Sequence, residues 1–168
     1  MPSPRTTTYR AAVLEALADE MRRDDSVILM DEDIGAAGGV FKQTEGLFAQ
    51  FGAERVIDTP ISESGAFGIA VGAAMTGQRP VFEVMFGDFI TLIMDQLVNQ
   101  AAKLSYMSAG QFKVPLVVRT AVGVGGNLGP QPGFARGDGK PGAFQSPLAP
   151  AFHVPVVPGP EKYPVAAE

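Results

Sequence analysis

Short apolar runs alternate with helix-length segments over the first 120 residues, and this alternation constrains the fold more than any other feature of the chain. The runs predict buried strands at residues 26–30, 55–58, 79–86 and 113–120. The segments between and before them predict helices at residues 9–23, 43–52, 65–77 and 88–107. Such an order favours an α/β fold with a mostly parallel sheet and helices on both faces.

Acidic residues closely follow three of the predicted strands. They are Glu32, Glu63 and Asp88. In open parallel sheets, ligands bind beyond the carboxyl ends of the strands. We therefore expect these carboxylates to form the rim of a candidate site.

Glu63 stands at the start of a helix made mostly of Gly, Ala, Val and Ile. One interpretation is an acid in the first turn that is stabilised by the helix dipole. The other is a partly buried acid, poised between burial and the dipole, which can hydrogen-bond a basic ring nitrogen. Asp58 has the simpler interpretation of a structural residue that caps the turn at Pro60.

The same helix is rich in glycine, and each interior glycine costs roughly 1 kcal/mol of helix stability relative to alanine. We expect this helix to gain its stability from close packing against another backbone, including one across a subunit interface.

Composition excludes several classes of function. The net charge of -5 and the lack of a Lys/Arg cluster argue against nucleic-acid binding. The chain has no cysteine, which excludes disulfides and thiolate catalysis. We also find no apolar run long enough to span a membrane and no signal peptide, and we expect a cytoplasmic protein.

Five segments carry a specific resemblance. They are "EDIGAAGGVFKQTEGLFAQFG", "RVIDTPISESG", "GIAVGAAMTGQRPVFEVMFGDF", "DQLVNQAAKLSYMSAGQ" and "VPLVVRT". In this order they resemble the β subunit of the thiamine-diphosphate-dependent first component of 2-oxo acid dehydrogenase complexes. The resemblance implies a three-layer thiamine-binding fold over residues 1–131, in which this chain is the pyrimidine-binding domain.

The resemblance also implies roles for individual residues. Glu63 matches the acid that engages the pyrimidine ring of the cofactor and so helps the thiazolium carbon to lose its proton. Phe89 matches an aromatic residue that packs on that ring, and Ile61 matches a neighbouring apolar contact. Glu32 matches an acid in a chain of carboxylates that links two cofactor sites, so we group it with Glu63 as catalytic. Leu116 matches a backbone-carbonyl ligand of a structural potassium ion.

The resemblance further implies partners. An α subunit holds the diphosphate and Mg²⁺ in this family, within an α2β2 tetramer that decarboxylates a 2-oxo acid and acylates the lipoyl domain of an acyltransferase core. We therefore expect the lone chain to be inactive. A non-catalytic protein that binds a partner or cofactor without turnover stays open, as do an acetoin dehydrogenase and a transketolase-like half.

The chain departs from the family pattern after Gln131. Residues 132–168 are rich in proline and glycine, and we expect an irregular, divergent arm in place of the family's C-terminal domain.

Overall fold

A computed structural model describes residues 6–121 of the chain. The expected arm at residues 132–168 and its boundary at Gln131 lie outside the described residues. Four strands form one sheet in the order β2-β1-β3-β4, and all the pairings are parallel. Their bounds are β1 Val27–Asp31, β2 Val56–Asp58, β3 Arg79–Val84 and β4 Val117–Thr120. The predicted α/β fold with a parallel sheet is confirmed.

Helices precede and connect these strands. Their bounds are α1 Tyr9–Arg23, α2 Leu47–Phe51, α3 Glu63–Met75 and α4 Leu104–Met107. Helix α1 begins with a side-chain cap, because the Thr8 hydroxyl oxygen accepts a hydrogen bond from the Ala11 N–H at 3.1 Å. Among the described residues, no helix is both long enough and apolar enough to cross a membrane.

The alternation of side chains along β1 places a hydrophobic core on each face of the sheet. Ile28 and Met30 belong to a cluster that includes buried residues of α3. Val27 and Leu29 belong to a second cluster, which α1 and α2 cover. Helices therefore lie on both faces, as a three-layer α/β fold requires.

The prediction of one long helix at residues 88–107 is wrong in detail. The chain forms a 3-10 helix at Gly87–Ile93, a π-helical segment at Asp95–Ala101 and then α4. Tertiary packing overrides the α-helical preference here: Ile93 is fully buried, and Gln96 approaches the glycine-rich helix, where its Cγ lies 3.7 Å from the position of a Cβ on Gly68.

The last predicted strand is shorter than expected, since β4 begins at Val117 rather than near residue 113. Pro115 has no N–H to donate to a neighbouring strand. The Leu116 N–H instead donates to the carbonyl oxygen of Val114 at 3.0 Å. The segment before β4 is therefore a local turn.

Candidate functional site

The carboxyl ends of β1 and β2 lead directly into the two glutamates that the sequence singles out. Glu32 follows the last residue of β1, and Glu63 is the first residue of α3, five residues after β2 ends. Because β1 and β2 are neighbouring parallel strands, both side chains belong to the same edge of the sheet.

The loop that carries Glu32 is held in place by Asp58. The Asp58 Oδ1 atom accepts a hydrogen bond from the Gly35 N–H at 2.7 Å, and a Cβ added to Gly35 would lie only 2.4 Å from Asp58 Oδ2. The expectation that Asp58 is structural holds, but its described bond fixes the loop after β1 and does not cap the turn at Pro60. Only glycine leaves room for this carboxylate.

Glu32 is buried, and its electrostatic environment links it to Glu63. Burial is the main cause that raises the pKa of Glu32 above its usual value, and the negative charges of Glu63 and Asp33 raise this pKa further. The two glutamates are therefore close enough for the charge of one to affect the titration of the other.

Glu63 is half-buried at the positive end of α3. The Ser62 side chain makes no capping hydrogen bond at this helix start. Within residues 6–121, the Glu63 carboxylate has no hydrogen bond and no ion pair. It is thus a carboxylate stabilised by the helix dipole alone, with its oxygens open to a ligand.

The apolar candidates differ in exposure. Ile61 is 83% exposed just before α3, whereas Phe89 is half-buried against the core cluster that contains Ala66 and Phe67. The Phe89 ring also meets the Phe86 ring edge-on at a centroid distance of 5.4 Å. Phe89 is therefore fixed, while Ile61 is free to contact a ligand or another chain.

Two other candidates stand apart from the glutamates. Asp88 follows β3, and burial raises its pKa, but its charge is not among those that act on Glu32. Leu116 directly precedes β4 and so lies at the amino edge of the parallel sheet, opposite the acidic edge. Nowhere in residues 6–121 do three or more His, Cys, Asp or Glu side chains form a group that could hold a metal ion.

Sequence reasoning missed two buried acids, Asp31 and Glu83. Asp31 ends β1 and is 3% exposed; burial chiefly, and then the charges of Glu32, Glu83 and Glu63, raise its pKa to about 8. Glu83 lies in β3, where Arg119 and the Gln43 side-chain amide both donate hydrogen bonds to it. An acid inside the apolar run of β3 was the available signal for Glu83, whereas Asp31 directly follows the apolar run at residues 26–30.

Comparison with known proteins assigns the sequence to a family. The family model described as "Transketolase, pyrimidine binding domain" matches residues 5–134. This match covers more than half of the chain and every element of the described sheet.

The chain belongs to the transketolase pyrimidine-binding domain family.

Three relatives of this pyrimidine-binding domain are β subunits of larger enzymes. The 2-oxoisovalerate dehydrogenase subunit beta of Bacillus subtilis is 47% identical over 70% of this chain and 36% of its own length. The pyruvate dehydrogenase E1 component subunit beta of Rhizobium meliloti is 45% identical over 75% of this chain and 27% of its own. The acetoin:2,6-dichlorophenolindophenol oxidoreductase subunit beta of Bacillus subtilis is 46% identical over 72% of this chain and 39% of its own.

These relatives confirm the resemblance to 2-oxo acid dehydrogenase β subunits that the sequence motifs indicate. The matched segment of the pyrimidine-binding domain spans only about a third of their length. Membership of the family implies dependence on thiamine diphosphate.

Proposed function

We propose that this chain supplies the pyrimidine-binding half of the active site in the first component of a 2-oxo acid dehydrogenase. One observation carries the proposal. Glu63 presents a half-buried carboxylate, without a partner among residues 6–121, at the positive end of a helix and close to a second carboxyl group, Glu32. A structural acid in such a position normally has a donor of its own.

The residues at this edge fit a flat, protonatable ring. Glu63 offers an acceptor for a ring nitrogen, Ile61 offers an exposed apolar side chain, and Phe89 offers an aromatic ring that its packing against the core holds in place. Mostly apolar walls with a few placed polar groups are typical of small-molecule sites. The aminopyrimidine of thiamine diphosphate has this chemistry.

Each residue has a task in this proposal. When bound, the cofactor supplies a carbon nucleophile for the keto carbon of the substrate. Glu63 holds a proton at the pyrimidine nitrogen, with the positive end of α3 beside its carboxyl group. Glu32 lies close enough to Glu63 for the negative charge of Glu63 to raise the proton affinity of Glu32. Ile61 and Phe89 orient the ring and keep water from it.

The remaining parts of the site come from elsewhere in the proposed assembly. An α subunit supplies the residues for the diphosphate and Mg²⁺, and two copies of each chain form an α2β2 tetramer. The exposed side of α3 suits such an interface, because Ile69 is 65% exposed and a Cβ added to Gly72 would meet no described atom within 4 Å. The Leu116 carbonyl as a potassium ligand, a cytoplasmic location and a domain boundary after Gln131 stay predictions.

The proposed reaction is decarboxylation of a 2-oxo acid, followed by acyl transfer to the lipoyl domain of an acyltransferase core. The named relatives include branched-chain, pyruvate and acetoin enzymes, so acetoin is the alternative substrate. A second function, binding of a partner chain or cofactor without turnover, keeps the same fold. The two functions differ in whether Glu63 matters for turnover.

Co-expression with an α-type thiamine subunit tests the proposal. The purified complex is assayed with thiamine diphosphate, Mg²⁺, pyruvate or branched-chain 2-oxo acids, and an artificial electron acceptor. We expect Glu63→Gln to lower the turnover about 10²–10⁴-fold, the usual contribution of a placed acid or base. The chain alone should show no turnover.

Glu54→Gln is the matched control, because Glu54 is an exposed glutamate in the turn before β2. It removes the same charge far from α3's first turn and should leave turnover within about twofold, as expected for a surface substitution. Equal turnover of wild type and Glu63→Gln would rule out the catalytic role. Binding of the α chain with no turnover in wild type would favour the non-catalytic function.

A further inference from the structure

Asp31 stands in a row of charged residues that crosses the sheet. It pairs in register with Asp58 on β2, and Glu83 pairs with Arg119 on β4. Since Met30 pairs with Phe82, Asp31 lies one residue past the last paired position and beside Glu83. The row therefore connects the acidic edge of the sheet with the ion pair between Glu83 and Arg119.

Asp31 is the buried acid of this row that has no cation among the described residues. It is 3% exposed, and its Oδ2 atom makes no hydrogen bond to any described residue. Within residues 6–121, the backbone N–H of Glu32 is the only donor that stabilises its carboxylate form. A buried ionised carboxylate without a cation is costly in free energy, whereas the neutral acid costs much less.

The nearby cations are already engaged. Arg119 is bound to Glu83, and the other described ion pairs join arginines to Asp19, Glu20, Asp24 and Asp25 at or near α1. The charges that face Asp31 are Glu32 at its own strand end, Glu63 on α3, Glu83 on β3, and Asp58 on β2, whose Oδ1 the Gly35 N–H holds. Every one of these groups is an acid.

We propose that Asp31 is an uncharged carboxylic acid and a positioning residue, holding one proton between the Glu83–Arg119 ion pair and the edge carboxylates Glu32 and Glu63. With Asp31 neutral, Glu32 takes up and releases its proton beside a neighbour that adds no negative charge. Ionisation of Asp31 would add a further negative charge to the cluster and raise the proton affinity of Glu32. The role in cofactor activation rests on the proposed function, whereas the protonation state of Asp31 does not.

The protonation state is measured directly in the full chain. Carbon-13 NMR of uniformly labelled protein follows each aspartate carboxyl resonance from pH 3 to pH 10. Through-bond correlation of each carboxyl carbon to its own Cβ, combined with sequential backbone assignment, identifies Asp31 without any variant. We expect the Asp31 midpoint above pH 7, because burial and then the charges of neighbouring acids raise the pKa of Asp31 to about 8. A midpoint near the ordinary value of about 4 would overturn the proposal.

The functional consequence is measured in the complex with the α-type subunit. We expect the profile of wild-type turnover against pH to have an alkaline limb, which is a change in turnover near pH 8. We expect Asp31→Asn to lose this limb, because its neutral amide cannot ionise. Asp19→Asn is the matched control: Asp19 is exposed on α1 and its charge is not among those that raise the pKa of Asp31 or Glu32, so the limb should remain.

The outcomes separate the two proposals. A high Asp31 midpoint in the NMR titration, together with a limb that disappears only in Asp31→Asn, supports the positioning role. A limb that persists in Asp31→Asn contradicts that role even when Glu63→Gln is inactive. If Glu63→Gln retains full turnover, the proposed function fails, while the NMR midpoint still decides whether Asp31 is neutral.

Discussion

Two buried acids on neighbouring strands, Glu83 and Asp31, have opposite environments. Glu83 accepts hydrogen bonds from the Arg119 guanidinium and from the Gln43 amide, and these donors oppose the effect of burial, which raises its pKa. Asp31 has no cation and no donor for its Oδ2 atom among the described residues. The buried acid that has a cation, Glu83, stabilises the fold. The acids without a cation lie at the edge of the sheet where a ligand would bind.

The loop after β1 links these two regions. Its Gln43 reaches Glu83 in the sheet interior, and its Gly35 is tied to Asp58 at the edge of the sheet. The Thr44 hydroxyl also donates to the carbonyl oxygen of Ile34 at 2.8 Å, which closes the loop on itself. Substitutions at its two ends therefore separate the structural role of the interior from the proposed chemistry of the edge.

Breaking the interior ion pair should be the most destabilising of the substitutions. Glu83→Leu leaves the Arg119 guanidinium without its partner, and we expect a loss of about 3–5 kcal/mol in the free energy of unfolding. Urea denaturation of the full chain measures this loss. Adding Arg119→Met to the same chain should restore more than half of it, because a hydrophobic pair of similar volume replaces the charges. A loss below about 1 kcal/mol for Glu83→Leu alone would contradict the structural role.

Asp31, the buried acid without a cation, should make the stability of the fold depend on pH. Because the pKa of Asp31 is raised from 3.8 to about 8, the folded chain binds more protons than the unfolded chain between these values. The free energy of unfolding therefore falls as pH rises through this window, by at most about 1.4 kcal/mol per pH unit, and the loss is complete above pH 8.

Thermal unfolding of wild type and Asp31→Asn at pH 5, 6, 7 and 8 measures this contribution. We expect the stability of Asp31→Asn to gain on that of wild type at each higher pH, while the stability of Asp19→Asn follows that of wild type. Parallel curves for wild type and Asp31→Asn would show that Asp31 is not the group that titrates.

Loosening the edge loop should have a smaller effect. Gly35→Ala places a Cβ 2.4 Å from Asp58 Oδ2 and removes the 2.7 Å hydrogen bond that holds the loop. We expect a loss of about 1–2 kcal/mol, at the lower end for a hydrogen bond to a charged group because Asp58 is exposed. Gly72→Ala is the control, since it adds the same methyl group where no described atom lies within 4 Å. Equal destabilisation by both variants would mean that the Asp58 anchor contributes nothing.

The smallest effect is expected on the surface of the π-helical segment. Asn99 donates to Asp95, and Lys103 donates to Asn99, each at 2.8 Å on exposed side chains. Asp95→Ala should lower the free energy of unfolding by less than about 0.5 kcal/mol. A loss above about 1 kcal/mol in the free energy of unfolding, measured by urea denaturation, would show that exposed acids in this chain also stabilise the fold.

The strands, the first three helices and the acidic edge could be predicted from the sequence, because strand runs and helical spacing are local signals. The helix types of residues 87–107 could not be predicted, because the burial of Ile93 and the approach of Gln96 to Gly68 depend on where α3 packs. Asp31 and Glu83 were missed for a related reason. A carboxylate in a strand shows its burial and its partners only when neighbouring strands are in register.

Glu63 and Glu32 were found because they follow strands, and parallel strands bring their carboxyl ends together. Asp88 follows a strand as well, but it lies after β3, and its charge is not one of those that raise the pKa of Glu32. Position after a strand therefore predicted the edge but not which acids interact within it.

The central claim is that the acids without cations at this edge activate a bound cofactor. The most direct test is the rate at which thiamine diphosphate exchanges its thiazolium C2 proton for deuterium in the complex with the α-type subunit, measured by quenched-flow NMR. We expect Glu63→Gln to slow this exchange about 10²–10⁴-fold relative to wild type, and Glu54→Gln to leave it within about twofold. Equal exchange rates in wild type and Glu63→Gln, with the cofactor bound in both, would contradict the claim.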